Sequence, residues 1–279
     1  MIDIRESTNQ KDFIHYSTSE IRDEFLFPNV FSADQVSAVY YLSDRIVIMG
    51  CMPVSDTVSI NQDFGAYFGS EYFLSNRELG IINIGGTGTV YIDSGGYKLS
   101  YEDALYIAKD TKKVIFSSDD PVCPAKFYMV STPAHQSFKT TFISASQVSG
   151  RTIGKPDSAN QREIFQYFDP YIVQTCQLSM GMTKLKSGSV WNTMPPHTHL
   201  RRTEVYFYYN LSAENIVLHL MGEPCNTRHI VVANEQAVIS PPWSIHAGCG
   251  TYAYSFIWAM GGENKVYNDI DGVDLKYLK

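Results

Sequence analysis

Two histidines one residue apart, His197 and His199, are followed after four intervening residues by Glu204 in the stretch "PPHTHLRRTEVYFYYN". Imidazoles and a carboxylate are the side chains that ligate borderline divalent metals, so this grouping points to metal chemistry. A fourth ligand is offered by "SPPWSIHAG", where two prolines stop one strand and force a turn that delivers His246 to the start of the next. Three neutral imidazoles and one carboxylate suit Zn, Fe, Mn, Co or Ni, and they leave a position for water or substrate if the ion is five- or six-coordinate. An isolated H-x-H in a β-protein is more often a surface or hydrogen-bonded core pair. The accompanying Glu204 and His246 shift the balance toward a metal site. His15, His135, His219 and His229 have no such company and read as structural.

Residues two apart on a strand share a face, so His197 and His199 can both aim into a barrel. Glu204 lies an odd number of residues beyond His199 and reaches the same face only if "LRRT" turns or bulges. The elements that must position these groups are mostly strands. From about residue 45, short apolar, β-branched and aromatic runs such as "RIVIMG", "LGIINI", "TVYIDS" and "KVIFSS" alternate with Gly, Pro, Asp and Asn. The same texture returns after residue 170 in "EVYFYYN", "NIVLHLMG", "RHIVVAN" and "AYSFIWAM". Helices are few: Ser17 and Glu20 form a capping-box pattern that predicts a helix from about residue 18, and "SADQVSAVYY" reads as a second helical turn. The polar, Gly- and Pro-containing "ISASQVSGRTIGKPDSANQREI" reads as a linker. An all-β chain of two domains follows, residues 1–150 and 151–279.

A weak internal echo lays Glu78 over Glu204 and Ala108-Lys109 near His246. On that alignment Glu71 and Phe73 stand where the second domain has His197 and His199, so the first domain is expected to bind no metal.

Composition narrows the function classes. A net charge of −7 gives no basic footprint for nucleic acid, no apolar run is long enough to span a bilayer, and the polar N-terminus lacks a signal-peptide layout. The expectation is a cytoplasmic protein. Cys51, Cys123, Cys176, Cys225 and Cys249 show no C-x-x-C spacing and read as reduced thiols.

The pattern G-x8-H-x-H-x4-E followed by P-x-W-x-x-H resembles the two motifs of the cupin superfamily, usually G-x5-H-x-H-x3–4-E and P-x-G-x-x-H. Here the gap from Gly188 to His197 is longer and Trp243 replaces the usual glycine. Longer stretches, among them "YFLSNRELGIINIGGTGTV", "VWNTMPPHTHLRRTEVYFYYN" and "TRHIVVANEQAVISPPWSIHAG", are similar to the 5-keto-4-deoxyuronate isomerases, also called 4-deoxy-L-threo-5-hexosulose-uronate ketol-isomerases. That resemblance implies a bicupin of two double-stranded β-helix (jelly-roll) barrels with a few short helices. It also implies one zinc ion (Zn2+) per subunit on His197, His199, Glu204 and His246, a homohexamer, and an open-chain uronate substrate derived from pectin or related polymers.

The implied reaction moves a carbonyl from C1 to C2, so a base must take the C2 proton while charge on the carbonyl oxygen is stabilised. Candidates for the proton shuttle are Glu204, Tyr206, Tyr208 and His229. For the substrate carboxylate they are Arg201, Arg202, Arg228 and Lys184, with Trp191, Asn192, Trp243 and Trp258 as pocket lining. Each has an alternative as ligand, core or surface residue. Rival readings are an Fe(II) cupin dioxygenase and a non-enzymatic cupin that binds sugar acids.

Overall fold

The computed structural model describes residues 2–60, 62–264 and 266–279. The chain forms two compact β units. Unit 1 comprises residues 1–5, 29–148 and 167–179, and unit 2 comprises residues 6–28, 149–166 and 180–279. Two exchanges therefore cross the simple division at residue 150. The helix Thr18–Phe25 belongs to unit 2, capped reciprocally by Ser17 and Glu20 as its sequence predicts.

In unit 1 a seven-stranded sheet runs in the order Ile2–Arg5, Val36–Tyr41, Ile46–Cys51, Phe127–Pro133, Arg77–Asn83, Ala104–Ile107 and Thr141–Ile143. A four-stranded sheet runs Val58–Ser59, Val114–Ser118, Gly88–Ile92 and Gly95–Leu99. Val47, Met49, Leu79, Ile81, Phe127 and Phe116 belong to one buried cluster that fills the unit. The segment "SADQVSAVYY" is the strand Val36–Tyr41 rather than a helix, because its β-branched and aromatic residues pair along Ile46–Cys51.

Unit 2 repeats the plan. Its seven-stranded sheet runs Arg151–Ile153, Arg162–Phe168, Ser179–Leu185, Ser255–Gly262, Arg202–Tyr209, Gln236–Ser240 and Leu26–Phe27, and its four-stranded sheet runs Trp191–Asn192, Ala247–Gly250, Val217–Glu223 and Asn226–Val232. The inner five strands of the large sheets match in order along the chain, so the echo in the sequence is a duplicated topology. The chain is an all-β bicupin. The expected linker is not one: it contributes Arg151–Ile153 and the start of Arg162–Phe168, paired antiparallel.

The duplication corrects the echo by one residue. In unit 1 Leu79 and Ile81 point into the barrel core. Glu78 points out of the opposite face, where Tyr106 Oη and Thr132 Oγ1 donate to it at 2.9 and 3.0 Å, as do the backbone N–H groups of Cys176, Gln177 and Leu178 at 2.7 to 2.8 Å. Strand parity therefore puts Leu79, not Glu78, on the face that corresponds to Glu204. Glu71 is exposed and Phe73 lies in the core.

Candidate metal centre and its cleft

The four sequence-predicted ligands converge in unit 2. His197 sits in a two-residue ribbon, His197–Thr198, paired with Asp271–Gly272. The chain then turns at Leu200 and Arg201, with the Arg202 N–H donating to the His199 carbonyl at 3.4 Å. This break in the strand resolves the parity conflict and lets Glu204 face the histidines. Glu204 lies in the fully buried strand Arg202–Tyr209, fixed between Met260 and Ser240 on its neighbours. Pro241 and Pro242 open the expected turn, closed by the Ser244 N–H on the Pro241 carbonyl at 2.9 Å, and His246 follows.

The geometry fits a metal ion. The four donor atoms lie within 4.8 Å of one another. His199 Nε2 is 2.8 Å and His246 Nε2 3.0 Å from Glu204 Oε2, and the Nε2 atoms of His197 and His246 are 3.0 Å apart. The His199 Nδ1 hydrogen is directed at the Arg202 carbonyl at 3.0 Å, which leaves its Nε2 lone pair toward Glu204. Lone pairs facing one another at such distances repel unless a cation or proton sits between them. A single ion about 2.1 Å from each donor would hold them no more than about 4.2 Å apart, so donor separations of this order suit one shared ion. Burial, and then the neighbouring His246, push the His197 pKa down to about 3, so the imidazole is neutral and free to ligate. Burial opposes ionisation of Glu204, yet the imidazoles of His246 and His199 beside it outweigh that and hold the carboxyl well below its usual range.

A cleft of about 300 Å³ opens beside the cluster, lined by His197, Glu204, Tyr206 and Trp258 among others. Tyr206 stacks on Phe256 at 4.7 Å and shares a 3.1 Å hydrogen bond with Thr193. Burial, and then the Glu204 charge, raise its pKa well above the ordinary phenol value. Tyr206 is therefore a protonated donor at neutral pH, not a base. Gly181 is required beneath Trp258, because a Cβ there would lie 2.2 Å from the indole ring.

Several sequence candidates lie elsewhere. His229 is exposed on the strand Asn226–Val232, where its partner is Leu220. Arg228 donates to the carbonyls of Ile14 and Tyr16, and Trp243 donates to that of Thr8 while packing on Phe13. Both serve to hold the N-terminal segment of unit 2. Arg201 is paired with Asp269 and Asp271. Arg202 is 1% exposed and donates to the carbonyls of Asn264, Val266, Tyr267 and Asp269, so it clamps the strap that carries Tyr267 and Asn268 over the cleft. Lys184 lies over Phe165 and is not part of the cleft wall, whereas Asn192 is buried and donates to Tyr254 Oη. The cleft also contains two arginines that the sequence reading left in the linker, Arg151 and Arg162.

Beneath the cluster, His219 is fully buried, with Nδ1 2.7 Å from Tyr208 Oη. Burial, and then His246, push its pKa down to about 3. The unfolded chain takes up this proton near pH 6.5, so the group leaves stability unchanged above that pH and lowers it by about 1.4 kcal/mol per unit as pH falls toward 3. Between pH 6.5 and 5, His219→Gln is expected to flatten the decline of unfolding free energy by about 2 kcal/mol relative to wild type. Parallel slopes from urea melts would refute it.

The family model described as "KduI/IolB family" matches residues 33–277. A 4-deoxy-L-threo-5-hexosulose-uronate ketol-isomerase of Shigella flexneri is 49% identical over 278 residues, covering 100% of both chains, and one from Escherichia coli O139:H28 has the same identity and coverage. Among solved structures, an IolB-like protein from Salmonella typhimurium is similar with a TM-score of 0.71 at 12% identity, covering 89% of this chain and 96% of that one. An oxalate decarboxylase from Lactobacillus farciminis, solved as a formate complex, has a TM-score of 0.56 at 8% identity over 81% and 79% of the chains. These two likenesses concern the fold.

Proposed function

The chain belongs to the KduI/IolB family, and from that premise we propose that it is a metal-dependent aldose–ketose isomerase acting on 4-deoxy-L-threo-5-hexosulose uronate in the breakdown of pectin and related uronate polymers. The product is 3-deoxy-D-glycero-2,5-hexodiulosonate. The observation that carries the reading is the convergence of His197, His199, Glu204 and His246, of which His197 and Glu204 reach the wall of a cleft whose other charged lining residues are three arginines.

The reaction transfers one hydrogen from C2 to C1 and one from the C2 hydroxyl to the C1 oxygen. His197, His199, Glu204 and His246 would hold a divalent ion, which would supply a Lewis acid for the carbonyl oxygen. Within the chain, Glu204 is the one carboxylate on the cleft wall among the described residues. Its Oε2 faces the histidines, while its Oε1 makes no hydrogen bond among those residues. In this reading Oε1 accepts the C2 proton and returns it at C1. Tyr206, kept protonated and hydrogen-bonded to Thr193, donates to a substrate oxygen. The arginine-clamped strap bearing Tyr267 and Asn268 restricts water above the reacting carbons.

Zinc, one ion per chain, is the metal of this reading, supported by the three-imidazole, one-carboxylate donor set. A homohexamer in the cytoplasm completes it, resting on family resemblance; no described helix is long and apolar enough to cross a membrane.

Conversion of freshly lyase-generated substrate, followed by NMR, tests the assignment. Turnover is expected from zinc-loaded protein, to be abolished by chelation and restored by zinc. Loaded protein that leaves the substrate unchanged would remove the isomerase.

A further inference from the structure

The strands hidden in the apparent linker bring two arginines to the cleft. Arg151 pairs opposite Ile164, and Ile153 opposite Arg162, so the two guanidinium groups project from one face of this ribbon as diagonal neighbours. Like charges so placed repel unless an anion lies between them. Arg162 is half-buried and makes a single hydrogen bond, Nη1 to the Asn160 carbonyl at 2.8 Å, which leaves most of its fork undirected toward protein. Arg151 is exposed at the rim and makes no hydrogen bond among the described residues. Burial lowers the Arg162 pKa, and only tyrosines, no carboxylate, oppose that shift. The adjoining wall holds Trp258, 3% exposed, whose Nε1–H has no partner among the described residues.

Arg202, the third arginine of the cleft, is committed to four carbonyls and is not free to fork onto a ligand. The strand Arg162–Phe168 lies three places from Arg202–Tyr209 in the sheet, about 14 Å at ordinary strand spacing. With carbon–carbon bonds of about 1.5 Å, an extended six-carbon chain spans about 6 Å. The arginine stem and the metal ligands take up the rest.

We infer that Arg162, with Arg151 at the rim, forms the subsite for the terminal carboxylate of the substrate, across the cleft from the metal ligands. The inference rests on the isomerase reading for the identity of the ligand, and it assigns specificity for acids over neutral sugars to residues of the Arg151–Ile153 and Arg162–Phe168 ribbon.

Titration calorimetry with D-galacturonate and D-galactose on zinc-loaded protein tests it. Wild type is expected to bind the acid about 10- to 100-fold more tightly than the neutral sugar, as suits a forked charge-assisted contact. Arg162→Met should bring the two affinities together, Arg162→Lys should fall between, and Arg151→Met should weaken the preference severalfold, all at unchanged zinc content. In turnover, Arg162→Met should raise KM for the uronate by the same factor with little change in kcat. A wild type without preference for the acid, or an Arg162→Met variant that retains it, overturns the subsite. Should Arg162→Met fail to fold, an undiminished preference in both Arg162→Lys and Arg151→Met overturns it. Acid preference without turnover of the uronate would sink the isomerase and spare the subsite; turnover with unchanged preference would do the reverse.

Discussion

Replacing His197 with Ala is expected to yield a folded protein that has lost its metal ion and, with it, isomerase activity by on the order of a thousandfold or more. His197 is the least buried of the four ligands and sits in a two-residue ribbon, so its truncation removes little core packing. The three remaining donors include a carboxylate already shared by two imidazoles. Losing one imidazole leaves an open, more hydrated coordination shell, and metal affinity falls steeply because binding rests on a preformed set of ligands. Elemental analysis of purified protein, with an unfolding curve beside it, reads the result. Full metal occupancy in a normally folded variant would show that the ion, if bound, lies elsewhere. Normal activity in a metal-free variant would remove the Lewis-acid role.

The clustering of His197, His199, Glu204 and His246 was legible in the sequence because each position depends on local grammar. The H-x-H pair is a statement about strand parity, and the prolines before His246 dictate a turn whatever surrounds them. Even the parity conflict at Glu204 correctly demanded a turn through Leu200 and Arg201. The substrate-binding candidates fared differently, because proximity in sequence to a ligand says little about what a long arginine stem reaches. Arg201, Arg202 and Arg228 each found carboxylates or backbone carbonyls instead. Arg151 escaped notice because its strand is three residues long at the edge of a sheet, and Arg162 because it is the first residue of its strand, directly after the polar, Gly- and Pro-containing run that reads as a linker. The duplication was visible as an echo, but its register was not, since a slip of one residue exchanges the two faces of a strand.

That slip gives the second large effect, because Glu78 and Glu204 are buried carboxylates with opposite duties. Glu204 faces three imidazoles with which it could hold an ion, whereas Glu78 accepts five hydrogen bonds from its own unit, three of them from consecutive N–H groups of Cys176, Gln177 and Leu178. Glu78→Ala leaves these donors buried without an acceptor, and is expected to destabilise the protein by about 3–5 kcal/mol, since orphaned buried donors cost about 1–3 kcal/mol each and relax partly together. The isosteric Glu78→Gln should recover only part of this, because its amide turns a donor toward donors. Amide exchange at residues 176–178 should accelerate well before global unfolding, and metal content should match that of the wild type. A Glu78→Ala variant with wild-type stability and protected amides would contradict the anchoring role. One that kept its stability but lost metal would instead make Glu78 part of a metal site and restore the register of the original echo.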